Sequence, residues 1–126
     1  MSPMTQAAIL HVEDDLLGRE LVKEILDAAG YTVLSAEDGV GLLERVKIER
    51  PNLILMDLQL PGIDGFTLIR GLKAHDETRQ IPVVVTTAYS HPESYTKALE
   101  AGCAAYLTKP FDSTLLVKTV ATLLKR

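Results

Sequence analysis

Five reactive side chains each stand at the end of an apolar run. Glu13 and Asp14 follow Ala7–Val12, Asp57 follows Leu53–Met56, Thr87 closes Ile81–Thr87, and Lys109 follows Ala104–Thr108. Three carboxylates, a hydroxyl and an ammonium form a chemically complete set if the fold gathers them. Carboxylates held close together repel, which raises at least one pKa unless a cation compensates. A hard divalent ion would do so, and few carboxylates with room for water suit Mg²⁺ better than a calcium cage. A carboxylate can also act as a nucleophile and take a phosphoryl group as an aspartyl-phosphate. The ion and a lysine would then neutralise the phosphoryl oxygens during in-line transfer. A threonine hydroxyl could donate a hydrogen bond to the product.

The elements between those residues decide whether they meet. Apolar strand-like runs alternate with amphipathic stretches at helical spacing, β then α, five times over. Leu17, Leu21, Ile25 and Leu26 mark one face of a first helix that Gly30 ends. Tyr31–Ser35 reads as a second strand, and Asp38 as the cap of a helix that Pro51 stops near Arg50. Phe66, Ile69 and Leu72 mark a third helix, with Gly71 inside it. Ser90, followed by Pro92 and Glu93, matches a capped helix start, and Gly102 its end. Asp112 can cap a last helix bearing Leu115, Leu116, Val120, Leu123 and Leu124. Continuous apolar strands separated by helices predict a parallel sheet covered on both faces, a doubly wound α/β fold. In such a sheet ligands bind beyond the carboxyl ends of the strands. Glu13, Asp14, Asp57, Thr87 and Lys109 all fall at that edge.

Composition narrows the function classes. The 126 residues fit one domain over 1–126, and 47% hydrophobic with 24% charged residues excludes global disorder. The net charge is -4 with scattered Lys and Arg, which argues against direct nucleic-acid binding. The single Cys103 excludes a disulfide framework and multi-cysteine zinc patterns, and its small neighbours suit a buried structural thiol. No apolar run reaches the ~20 residues needed to span a bilayer. Residues 1–7 lack the basic start and apolar run of an export signal, so a cytoplasmic location and no membrane partner are expected.

The segments His11-Val12-Glu13-Asp14-Asp15, Leu55–Gly65, Val85-Thr86-Thr87-Ala88 and Tyr106–Phe111 together resemble the CheY-like receiver domain of two-component response regulators. The likeness covers residues 7 to 125. It implies a flavodoxin-like (βα)5 fold with five parallel strands ordered 2-1-3-4-5. It further implies that Asp57 is the phosphoacceptor and that Glu13, Asp14, Asp57 and the Gln59 backbone carbonyl bind Mg²⁺. By the same resemblance Lys109 contacts the phosphoryl group, Thr87 is the switch hydroxyl, and Tyr106 is the aromatic whose rotamer follows it. Gln59 and Tyr89 would tune hydrolysis, the Lys109–Pro110 bond would be cis, and the fourth helix, fifth strand and fifth helix would form the partner surface. The donor would be a sensor histidine kinase or histidine phosphotransfer protein. The target would be a downstream protein, dimerisation stays open, and the domain would be a switch rather than a turnover enzyme.

Other readings compete. Mg²⁺-dependent phosphatases of the haloacid-dehalogenase type also use an Asp nucleophile after a strand, but need a second Asp where Gln59 stands. A constitutive interaction module would not require the full acid, hydroxyl and lysine set. Glu13 stands where many receiver domains have Asp. His11 interrupts the first apolar strand and is expected to be a hydrogen-bonded core or strand-edge histidine. His75 and His91 are expected at the surface near helix ends, and Asp15 is expected to cap the first helix.

Overall fold

A computed structural model describes residues 6–124. Residues 1–5, most of the stretch read for an export signal, and residue 125, the end of the stretch read as family-like, lie outside the described residues. Five strands, β1 (Ala8–Val12), β2 (Thr32–Ala36), β3 (Leu53–Asp57), β4 (Val83–Thr87) and β5 (Ala105–Thr108), form one sheet in the order β2-β1-β3-β4-β5. All pairings are parallel. The helices are α1 (Leu16–Ala28), α2 (Leu42–Glu49), α3 (Gly65–Lys73), α4 (Pro92–Ala101) and α5 (Ser113–Leu124). The doubly wound architecture and strand order are those expected.

Strand side chains alternate between faces, so each strand feeds two cores. Leu10, Ile54, Met56, Val83 and Val85 pack with Leu42 and Val46 of α2, Ile69 and Leu72 of α3, and Ala98 of α4. Ile9, Leu53, Leu55, Val84 and Leu107 pack on the other face with Val22 and Leu26 of α1 and Leu116 and Val120 of α5. Both faces of the central strands are therefore dry, which explains their unbroken apolar sequence. Register then aligns the strand ends. Val12 pairs with Met56, Asp57 with Thr86, and Thr87 with Thr108. Whatever follows Val12, Met56, Val85 and Thr108 emerges along one rim.

Local signals explain most helix boundaries. Asp15 accepts the Gly18 N–H at 2.9 Å and caps α1, and Asp112 accepts the Leu115 N–H at 3.1 Å ahead of α5. Two expected caps are displaced. Asp38 accepts the Val40 N–H in a turn instead, and α2 begins at Leu42 behind Gly41, whose φ is 68°. The turn draws Gly39 against Leu68 so closely that a methyl there would lie 2.5 Å from Leu68 Cδ1. Ser90 is likewise not the cap of α4. Pro92, with φ fixed and no N–H to satisfy, takes the first helical position, which makes His91 the cap residue without a side-chain bond.

The apolar face of α1 also differs from expectation. Val22 and Leu26 are buried with Ile25 partly so, while Leu17 and Leu21 are 73% and 59% exposed. The helix rests on the sheet along the 22–25–26 stripe and leaves Leu16, Leu17 and Leu21 facing outward. Cys103 is buried as expected, His91 is exposed, and His75 is half-buried with Nδ1 2.8 Å from the Gly71 carbonyl. No helix among the described residues is long and apolar enough to cross a membrane.

Candidate functional site

Glu13 emerges one residue past β1 and is held by its own backbone. Its N–H donates to the Ala36 carbonyl at 2.9 Å, and Arg19 from α1 donates to its carbonyl at 2.7 Å. Its side chain is therefore turned inward and almost fully buried, whereas Asp14 beside it is exposed. Asp57, the last residue of β3, is 3% exposed. One carboxylate oxygen from each of Glu13, Asp14 and Asp57 lies within 4.8 Å of the others.

Lys109 reaches this cluster from beyond β5, where the Lys109–Pro110 peptide is cis. Its N–H donates to the Thr87 carbonyl at 2.7 Å, which anchors its backbone to the end of β4. Its Nζ then donates to Glu13 Oε1 at 2.5 Å and Asp57 Oδ2 at 3.0 Å. The other Asp57 oxygen accepts the Gln59 N–H at 2.9 Å. The electrostatics follow from this packing. Burial, reinforced by Asp57, outweighs the Lys109 bond and raises the Glu13 pKa. Burial opposes the charge on Lys109, yet its two carboxylate partners prevail and raise its pKa.

Thr87 is fully buried, and its Oγ1 accepts the Tyr89 N–H at 3.1 Å. Among the described residues its own O–H donates to no acceptor. The carbonyl of the same Tyr89 accepts the Tyr106 hydroxyl at 2.8 Å. Tyr106 also packs edge-on against Tyr95 of α4, with ring centroids 5.5 Å apart. Residue 89 thus joins the expected switch pair through its backbone, while its side chain is 39% exposed.

The structure brings Glu13, Asp14, Asp57, Gln59, Thr87 and Lys109 to one rim and sets Tyr89 and Tyr106 beside it. The oxygen donors fit a hard divalent cation: two buried carboxylates and one exposed carboxylate converge, with an open side toward solvent at Asp14. Sequence reasoning missed Arg19, which fixes the Glu13 backbone, and Thr86, which shares a sheet face with His11. His11 is buried as expected, but its Nδ1 has no hydrogen-bond partner among the described residues. The strand's two-residue alternation was the available signal for that pairing.

Comparison with known proteins agrees with this geometry. Residues 9–121 match the family described as the response regulator receiver domain. The chain is 33% identical over 117 residues to the polar-differentiation response regulator DivK of Brucella anthropi, covering 93% of this chain and 95% of that one. Vibrio cholerae chemotaxis protein CheY4 superposes with a TM-score of 0.88 at 28% identity, covering 94% and 99% of the two chains. The receiver domain of the Pseudomonas aeruginosa sensor histidine kinase PA1611 superposes at 0.88 with 29% identity, covering 97% and 100%; that protein has a magnesium ion coordinated in its active-site cleft. With five parallel strands in the 2-1-3-4-5 order and an acidic rim at their carboxyl ends, this chain belongs to the response regulator receiver domain family of two-component signalling.

Proposed function

We propose that residues 1–126 work as a single receiver domain that accepts a phosphoryl group on Asp57 from a phosphohistidine donor. The observation that carries this reading is the ammonium of Lys109 bridging Asp57 and Glu13 beside the exposed Asp14. A carboxylate oxygen of Asp57 attacks phosphorus, the P–N bond to the donor imidazole breaks, and the electron pair leaves with the imidazole. Lys109 holds positive charge against the transferred oxygens, a role that electrostatic positioning dominates in this chemistry. Mg²⁺ held by Glu13, Asp14, Asp57 and the Gln59 carbonyl would neutralise further phosphoryl charge. The Glu13 backbone clamp from Arg19 and Ala36 keeps that carboxylate oriented.

Thr87 turns phosphorylation into a surface change. A phosphoryl oxygen on Asp57 attracts the Thr87 O–H, and movement of Thr87 strains its bond from the Tyr89 N–H. The Tyr89 peptide then disturbs the Tyr106 hydroxyl bond and with it the face of α4, β5 and α5, where a downstream protein would bind. Gln59 and Tyr89 flank the phosphoryl position and would tune its hydrolysis. The donor, a histidine kinase or phosphotransfer protein, would dock on the outward leucines of α1 next to Asp14. Such a domain is a regulatory switch, not a turnover enzyme.

Intact mass after exposure to acetyl phosphate and Mg²⁺ tests the reading. Wild type is expected to gain one acid-labile phosphoryl group, and Asp57→Asn none. Undiminished labelling of Asp57→Asn would move the acceptor elsewhere.

A further inference from the structure

A cavity of about 250 Å³ lies on the α1–α5 side of the sheet, below the carboxylate rim. Val22 and Ile25 of α1 and Phe111 after β5 form its walls, the exposed Leu21 stands at its mouth, and His11 and Thr86 contribute polar groups. Lys109 and Glu13 stand along its edge. His11 and Thr86 are each 1% exposed, and neither His11 Nδ1 nor Thr86 Oγ1 has a hydrogen-bond partner among the described residues. Two buried polar atoms without partners in one cavity are costly, because each loses water and gains nothing in exchange.

The partners' chemistry defines what fits. A neutral His11 ring offers one donor and one acceptor nitrogen. Thr86 offers a hydroxyl with both capacities. Lys109 bonds both Glu13 and Asp57 at the edge, and Asp15 also lines it, so the carboxylates outnumber the ammonium there and an anionic occupant is disfavoured. β3 separates β1 from β4, and the register pairs His11 with Leu55 and Leu55 with Val84, so Thr86 lies two strand spacings across and two residues further along, about 11–12 Å from His11 at the backbone. The apolar walls want a flat or aliphatic body between them. A dry cavity of about 150 Å³ already accepts benzene, so this volume admits a substituted ring.

The geometry points to a small-molecule site here: the cavity binds an uncharged ring with two separated hydroxyls, one bonded to His11 and the other to Thr86. The occupant lies against α1 and the segment after β5, and touches the Glu13–Lys109 pair along the cavity edge. Binding requires neither phosphorylation nor a divalent cation, so it stands apart from the phosphotransfer reading.

Titration of resorcinol, phenol and toluene into the full chain, followed by amide chemical shifts, tests the site. Saturable shifts at Val22, Thr86 and Phe111 are expected, with affinity falling about fivefold for each hydroxyl removed, the worth of one neutral hydrogen bond. Thr86→Val should bind resorcinol no better than wild type binds phenol, while Thr86→Ser, which keeps the hydroxyl, should retain wild-type affinity. Equal affinity for the three probes would overturn the site. So would the absence of saturable shifts, as expected if solvent alone satisfies the two groups, or an unchanged affinity in a folded Thr86→Val.

Discussion

At the scale of single residues, the ammonium of Lys109 occupies the charge position that a divalent cation would share. Its Nζ bonds to the same carboxylates, Glu13 and Asp57, that would ligate the ion. Lys109→Met therefore removes a competitor. Repulsion between a unit charge and another about 4 Å away is worth about 1 kcal/mol even at the dielectric of water, and twice that for a dication. Isothermal titration should show the variant binding Mg²⁺ roughly thirtyfold more tightly. Weaker binding would show that the lysine organises the acids rather than competing for them. His11 carries a second prediction. Its folded pKa, about 4, lies below its unfolded value of 6.5, so the unfolded chain takes up the proton first as pH falls. Stability is unaffected by this group above about pH 6.5, and is lost progressively as pH drops toward 4. The loss is on the order of 3 kcal/mol for a shift of this size. Glu13, with its raised pKa, acts in the opposite sense at acid pH. The difference between wild type and His11→Leu in urea unfolding isolates the histidine: the acid slope should be shallower in the variant.

At the scale of elements, the two glycines of α3 should respond oppositely to the same added methyl. Gly65 opens the helix, and a methyl there would lie 2.9 Å from both the Asp57 carbonyl oxygen and Leu58 Cα. These are backbone atoms of the Asp57–Leu58 segment and cannot rotate aside, so Gly65→Ala should cost about 1–3 kcal/mol by overpacking. Gly71 lies inside the same helix with nothing within 4 Å of the added methyl, and Gly71→Ala should stabilise by about 0.5–1 kcal/mol. Urea midpoints of the pair check both signs. Helix ends were legible from sequence where one residue decided them, as with Asp15, Asp112 and Gly102. They were misplaced at α2 and α4, where a glycine-built turn and a proline at the first helical position overrode a nearby Asp and Ser. The buried stripe of α1 was misjudged because several leucines lie at helical spacing, and only the packing against β1 and α5 selects among them.

At the scale of the whole molecule, the topology was readable and the consequences of register were not. Alternating apolar runs and helices imply a doubly wound sheet, and that rule alone carries Asp57, Thr87 and Lys109 to one edge. Spacing could not show that Glu13 is buried while its neighbour Asp14 is exposed, since that depends on the Arg19 and Ala36 bonds to the Glu13 backbone. Nor could it show that His11 and Thr86 share a cavity across three strands. A cation bound only by the assembled rim must stabilise the entire fold by linkage. At ten times its dissociation constant, Mg²⁺ should add about 1.4 kcal/mol. For a domain of this size that corresponds to a rise of roughly 3–6 °C in Tm. Calorimetry with and without the ion checks this, and Asp57→Ala should blunt the response.

The Lys109–Glu13 bond spans 96 positions of the chain. During synthesis, β1 and β3 leave the ribosome with their acids long before the lysine that balances them. A nascent chain halted before residue 109 can hold Glu13 and Asp57 but not their ammonium, so the two inward carboxylates lack the charge that balances them in the finished fold. The charge balance of the rim is thus completed only when translation has passed the fifth strand.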